Sequence, residues 1–278
     1  MSIVRRSTRF IPYIALCGFL LYFLFPLFWM LMTSFKDNSV LFKLPPEWVP
    51  SNPVLTHYQN LFSDTIFVNY YTNSLLDSLS RTIGTLFVAM LAGYGFSRFS
   101  FKLKPFMMFS ILSTQMLPVI SLLIALYTMY NNYGMLNTRA GLVLALSTAS
   151  LPFSIWMIKV FFDNIPISLE ESAKIDGCSR FGILFRIVIP LSKPGIFAIG
   201  IYAFILSWDD FLYSITLINN DELRPLNAGI AIRYIGELSY DWASIMTVCV
   251  ISIIPITLLF LFFQKYMVSG LTAGAVKG

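Results

Sequence analysis

Residues 165–195 read IPISLEESAKIDGCSRFGILFRIVIPLSKPG, a segment built to fold rather than merely to connect. Ser168 followed three positions later by Glu171 is a capping-box pattern, with Ser168 as N-cap and Glu171 at N3. A short helix is expected from there to about Asp176. Gly177 should stop it, because glycine tolerates the left-handed conformation just past a helix end. Phe181, Leu184, Phe185 and Val188 then recur at helical spacing, which predicts a second, amphipathic helix ending near Pro190.

Outward from this segment the chain is apolar in both directions. Of its 278 residues 57% are hydrophobic and only 12% charged, too few charges to cover a soluble domain of this size. A hydrocarbon core of roughly 30 Å needs about 20 apolar residues per helix. Six stretches qualify, at about 11–33, 72–97, 106–130, 140–162, 195–218 and 243–265, so the quoted segment falls in a loop over 163–194. The runs are continuous rather than alternating, which favours helices over a transmembrane barrel. The first follows Arg5, Arg6 and Arg9, is too long for a signal-peptide core and has no small-residue cleavage site after it, so it reads as an uncleaved span. The expected fold class is an all-α integral membrane protein, with residues 1–278 forming one membrane domain.

Lysine and arginine orient it. With the amino terminus inside, twelve fall on the inner side, five on the outer side and two within spans, which accounts for all 19. Both termini and the 163–194 loop are therefore expected in the cytoplasm, and residues 35–71 outside. The net charge of +5 follows from this asymmetry and does not imply nucleic-acid binding. Cys17 and Cys249 lie in spans and Cys178 in the loop, so no disulfide framework is expected. Pro45, Pro46, Pro50 and Pro53 rule out a long helix in the outer segment, which is either a connector or a platform for an external partner.

Several polar groups stand inside spans. Asp77 and Arg81 share one helix face four residues apart, as a structural pair or in direct transport. Asp209 and Asp210 sit beside Trp208 and near Tyr213 in the fifth span, where each acid costs about 2.5–3.5 kcal/mol on insertion scales. The aromatics suit stacking on flat apolar faces and the acids suit accepting hydrogen bonds from a solute; bonding across helices or lining a gate is the alternative. Gln115 and Pro118 in the third span predict a helix irregularity whose freed carbonyl needs a partner. His57, the one histidine, has no metal-ligand spacing around it, and no metal site is expected.

The loop resembles the EAA loop of binding-protein-dependent ATP-binding-cassette importers, in Glu171-Ser172-Ala173, then Gly177, then Ile187-Val188-Ile189-Pro190. Ser172 replaces the family's first alanine, and Ile189 its leucine. HYQNLF at 57–62, NSL at 73–75, YGFSRF at 94–99, SWDDFL at 207–212 and the ending GLTAGAVKG at 270–278 are similar to the carbohydrate branch, near the shorter permease subunit of maltose-type systems. The resemblance implies a type I ABC importer permease fold of six spans with a cytoplasmic coupling helix. It also implies as partners a second homologous permease, two ATPase subunits and an extracellular solute-binding protein. ATP and magnesium are expected on the ATPases, since this chain has no GxxxxGK[ST] phosphate loop. By the same resemblance Glu170, Glu171, Ser172, Ala173, Asp176 and Gly177 are the coupling residues, and Gly270, Leu271, Thr272, Gly274 and Lys277 form a flexible tail against the ATPases. Gln115, Trp208, Asp209, Asp210 and Tyr213 remain candidates for the pathway. A secondary transporter would need ion sites in two related halves, and a membrane enzyme a catalytic motif; neither is visible.

Overall fold

The computed structural model describes the backbone of residues 2–235 and 241–275, and the side chains of residues 12–233 and 241–265. Among the described residues the structure is helical, without strands. In chain order the helices are α1 (Ser2–Ser34), α2 (Thr56–Ser63), α3 (Thr65–Arg98), α4 (Lys104–Ser113), α5 (Val119–Asn132) and α6 (Arg139–Asp163). There follow α7 (Ile167–Ile175), α8 (Arg180–Leu191), α9 (Lys193–Trp208), α10 (Leu212–Leu217), α11 (Leu226–Ile230) and α12 (Trp242–Ala275).

Among the described residues four helices are long and apolar enough to cross a membrane: α1 from Pro12, α3, α6, and α12 up to Lys265. Two bent pairs pass the same test when each is taken together. Lys104–Met116 meets Val119–Asn132 at 99°, and Arg180–Leu191 meets Lys193–Trp208 at 82°. Six spans therefore require counting each broken pair as one. The irregularity expected at Gln115 and Pro118 in the third span is present, whereas the continuous fifth span expected over 195–218 is corrected. The third breaks at Leu117–Pro118, where Leu117 N donates to Thr114 O at 3.3 Å and so satisfies the carbonyl that Pro118 would have left free. The fifth ends as α9 at Trp208, and α10 resumes at Leu212. α3 starts at Thr65, seven residues ahead of the expected boundary at 72, because α2 and α3 are separated by Asp64 alone.

The chain divides into two units, residues 1–68 with 230–254 and residues 69–229 with 255–278. In the first, the proline-rich stretch contains only a 3₁₀ turn at Asn38–Val40 before α2. It is nonetheless tied down: Lys36 lies over the Trp29 ring at 4.3 Å and donates to Glu47 O, while His57 Nε2 meets Lys36 O at 3.1 Å. Asp64 and Arg233 pair at 2.7 Å.

In the second unit α6 is the most enclosed span. Lipid tails are as apolar as leucine, so close packing rather than the hydrophobic effect holds such helices together. Gly195 of α9 lies under Phe161, where a Cβ would come within 2.4 Å of the ring. One apolar cluster, including Ile158, Phe162, Ala173, Ile183, Leu184 and Val188, joins the ends of α3 and α6 to α7 and α8. Another, including Leu123, Leu142, Leu146, Tyr213 and Leu217, joins α5, α6 and α10.

Candidate functional site

The EAA-like segment folds as helix, glycine turn, helix, with three local corrections. α7 begins at Ile167 with Pro166 as N-cap, so Ser168 lies inside the helix and the capping box does not form. Pro166 fixes its own backbone for helix entry two residues earlier, and Ser168 instead offers its carbonyl to Ser172 Oγ at 3.0 Å. Gly177 stops α7 as expected, at φ +81°. α8 runs past Pro190 to Leu191 and contains a π-helical segment at Leu184–Val188. That segment turns Leu184 and Val188 inward and leaves Phe181 and Phe185 exposed.

The coupling candidates divide by face. Glu170 and Ala173 are buried, whereas Glu171, Ser172, Asp176 and Gly177 are exposed together with Ile175. Glu170 is held by the last turn of α3: Arg98 Nε donates to Glu170 Oε1 at 2.5 Å, and Tyr94 OH donates to Oε2 at 2.9 Å. Arg98 Nη2 donates to Ile165 O at 3.1 Å and Nη1 to Ser97 Oγ at 2.9 Å, while Ser97 Oγ donates to Asp163 at 2.6 Å. One helix end thus grips the loop at residues 163, 165 and 170. Tyr94 and Arg98, four apart in the final turn of an apolar helix, were the sequence signal for this clamp.

The two breaks adjoin two cavities. One of about 420 Å³ is lined by Gln115, Thr148, Pro152 and Tyr213 among apolar residues, and Gln115 Nε2 donates to Ala149 O at 2.9 Å. The other, about 330 Å³, is lined by Arg81, Asp209, Asp210 and Phe211, and shares Val119, Ala149 and Tyr213 with the first. Irregular backbone at membrane depth is tolerated where it is buried in protein or lines such a cavity.

Asp209 and Asp210 are not within a continuous helix. Asp209 caps the end of α9, and Asp210 starts α10, accepting from Ser214 N (2.9 Å), Ser214 Oγ (2.7 Å) and Tyr213 N (3.4 Å). Trp208 is packed away from both cavities, stacked on Phe204 at 5.8 Å and edge-on to Tyr71 at 5.5 Å. The expected Asp77–Arg81 pair does not form. Asp77 Oδ1 lies 3.4 Å from Arg139 Nη1, a residue on α6 that sequence spacing could not connect to it. In the carboxyl-terminal segment α12 continues to Ala275, which corrects the expected flexible tail. Gly270, Leu271, Thr272 and Gly274 lie on that helix, and their side chains and Lys277 fall outside what the structure describes.

Residues 85–272 match the family described as the binding-protein-dependent transport system inner membrane component. The sulfoquinovosyl glycerol transport system permease protein SmoH of Agrobacterium fabrum is 38% identical over 255 residues, 92% of this chain and 89% of that protein. The trehalose/maltose transport system permease protein MalG of Thermococcus litoralis is 34% identical over 257 residues, 92% of each chain. In fold, the chain is similar to one in the crystal structure of a bacterial ABC transporter involved in the import of the acidic polysaccharide alginate. The TM-score is 0.84 at 21% identity, covering 94% of this chain and 96% of that one. Broken spans, a clamped loop helix and this match together make the chain a multi-pass membrane permease of the binding-protein-dependent transport family.

Proposed function

We propose that this chain is one of two permease subunits of an ATP-driven sugar or oligosaccharide importer. A second homologous permease completes the pathway, an extracellular binding protein delivers the solute, and two partner ATPases bind ATP and magnesium and perform all the hydrolysis. Both termini and α7 face the cytoplasm, and residues 35–71 face outward as a platform for the binding protein. Glu171, Ser172, Asp176 and Gly177 meet the ATPase, while Glu170 and Ala173 brace them from behind. The carboxyl-terminal segment, with Gly270, Leu271, Thr272, Gly274 and Lys277, reaches the ATPase dimer. Gln115, Asp209, Asp210 and Tyr213 belong to the pathway, with Trp208 supporting them.

The observation that carries this reading is α7 itself, a short helix with an exposed acidic and apolar face, fixed to a membrane span by a buried ion pair. Such a helix moves the span when it is pushed. The transport systems named for the relatives, sulfoquinovosyl glycerol and trehalose/maltose, support a sugar as the solute.

Glu171→Lys reverses the charge on the exposed face, and Gly177→Val costs roughly 1–2 kcal/mol in a left-handed conformation. Both variants should insert normally but bind the ATPase weakly, or hydrolyse ATP without a response to loaded binding protein. Co-purification followed by hydrolysis in reconstituted vesicles reads this. Full ATPase stoichiometry and full stimulation in both variants would remove the coupling role. For orientation, a cysteine replacing Ser51 in a background lacking the native cysteines should react with an impermeant reagent from outside. Labelling only after permeabilisation would invert the topology.

A further inference from the structure

A groove of about 410 Å³ at the end of α3 is lined by Ala92, Gly95, Phe96, Phe99, Ser100 and Phe101. Gly95 and Phe99 follow Tyr94 and Arg98 by one residue each, so they point about 100° away from the clamp on Glu170. Glycine within a helix is destabilising, so its place there needs a reason. At Gly93 the reason is Ile158, whose side chain would stand 2.8 Å from an added Cβ. At Gly95 an added Cβ would meet nothing within 4 Å, so whatever fills that space comes from outside the described residues. Cations surround the mouth of the groove. Arg180, the first residue of α8, lies over the Phe99 ring at 4.9 Å, and Lys104 Nζ donates to Phe99 O at 3.4 Å. Lys102 is exposed in the turn that joins α3 to α4. Among the described residues none of the three is in an ion pair. Asp163 and Glu170, the acids that touch the last turn of α3, are held by Lys159 and Arg98 instead.

We propose that this groove binds an anionic phospholipid, with an acyl chain along Ala92, Gly95 and Phe99 and the phosphate among Lys102, Lys104 and Arg180. Both ends of such a molecule are matched. The walls are apolar except for Ser100, and the rim carries three cations with no carboxylate of their own. A soluble anion would leave the apolar walls uncovered, and a neutral lipid would leave the cations without a counter-charge. Leu103 and Phe106, at 63% and 68% exposure, extend the apolar surface beside the rim, as a boundary facing lipid requires. Basic residues at such a boundary attract anionic headgroups, and the groove adds a fixed place for the chain. On the orientation proposed above the lipid belongs to the cytoplasmic leaflet.

The test places the whole importer in phosphatidylcholine nanodiscs containing a trace of a lipid with a diazirine on its acyl chain. That lipid is either phosphatidylglycerol or phosphatidylcholine, and peptide mass spectrometry after irradiation reads labelling of residues 92–101. Each basic residue near the surface favours an anionic lipid about fivefold, so phosphatidylglycerol should label this segment more by about tenfold or greater. Arg180→Gln should lower that preference about fivefold, and adding Lys102→Gln and Lys104→Gln should abolish it. Gly95→Leu fills the groove and removes a glycine from a helix. It should cut labelling by phosphatidylglycerol about fivefold or more, while the apparent melting temperature of the complex holds or rises. Equal labelling by the two lipids would reduce the groove to ordinary bilayer contact, and labelling by neither would mean that another subunit covers it. A Gly95→Leu complex that melts earlier would mean the same, and unchanged labelling in that variant would put the lipid elsewhere. Each of these results overturns the proposal. Both leaflets of the disc have one composition, so the outcome is independent of orientation, which the cysteine at Ser51 reads separately.

Discussion

Arg98 and Arg81 lie on the same helix, about 25 Å apart along its axis at 1.5 Å per residue. Both are largely removed from solvent, yet their surroundings are opposite. Every nitrogen of Arg98 has a protein acceptor in Glu170, Ser97 or Ile165. Among the described residues no nitrogen of Arg81 has one. Arg98 is a completed joint whose partners all come from its own chain. Arg81 is an open one, and Asp210, which lines the same cavity, is committed to starting a helix. The difference teaches that burial alone does not mark a structural charge; the state of its hydrogen bonds does.

The largest expected effect falls on the closed joint. Arg98→Met leaves Glu170 buried without its counter-charge and should destabilise this end of the molecule by about 3–5 kcal/mol. Faster hydrogen exchange across residues 163–176 and a lower apparent melting temperature of the solubilised complex would register it. If Arg98→Met melts like wild type, the clamp does not hold the loop. The next test breaks the comparison from the other side. Arg81→Met removes an unpaired buried charge, so the apparent melting temperature should hold or rise. A drop matching that of Arg98→Met would make the two arginines equivalent. The smallest effect concerns the group between them in character. Asp210→Ala removes a cap worth about 1 kcal/mol, and Asp210→Asn should retain most of it, as read by exchange at the Tyr213 and Ser214 amides.

How far the sequence disclosed this arrangement depends on the range of each interaction. The apolar runs coincide with the four long apolar helices among the described residues, because their signal is local. Pro118 marked the break in the third span, and Gly177 the end of α7, because each restricts the backbone at its own position. The break after Trp208 was hidden: SWDDFL is too apolar around its two acids to interrupt a hydropathy window. Asp77 looked paired with Arg81 because helix spacing was the available geometry, but its partner comes from α6. The Ser168 capping box failed for a local reason, since Pro166 had already begun the helix. Glu170 and Glu171 are adjacent and chemically alike. Only the position of Arg98 and Tyr94 in three dimensions separates the acid that braces from the acid that is presented.

The π-helical segment at Leu184–Val188 has a consequence for how this loop accepts change in length. A π turn contains one residue more than the α turn it replaces, so α8 carries a surplus residue midway along its length. Deleting one residue from 184–188 should restore an ordinary helix and leave the residues before the deletion on the same face relative to Pro190, because the wider turn had already absorbed the extra rotation of about 100°. Phe181 should then stay exposed and Ile183 buried, whereas a one-residue deletion in the α-helical part of α8 would turn them. Chimaeras that exchange this loop with a relative can therefore carry one residue fewer between Gly177 and Pro190, provided that the loss falls within 184–188.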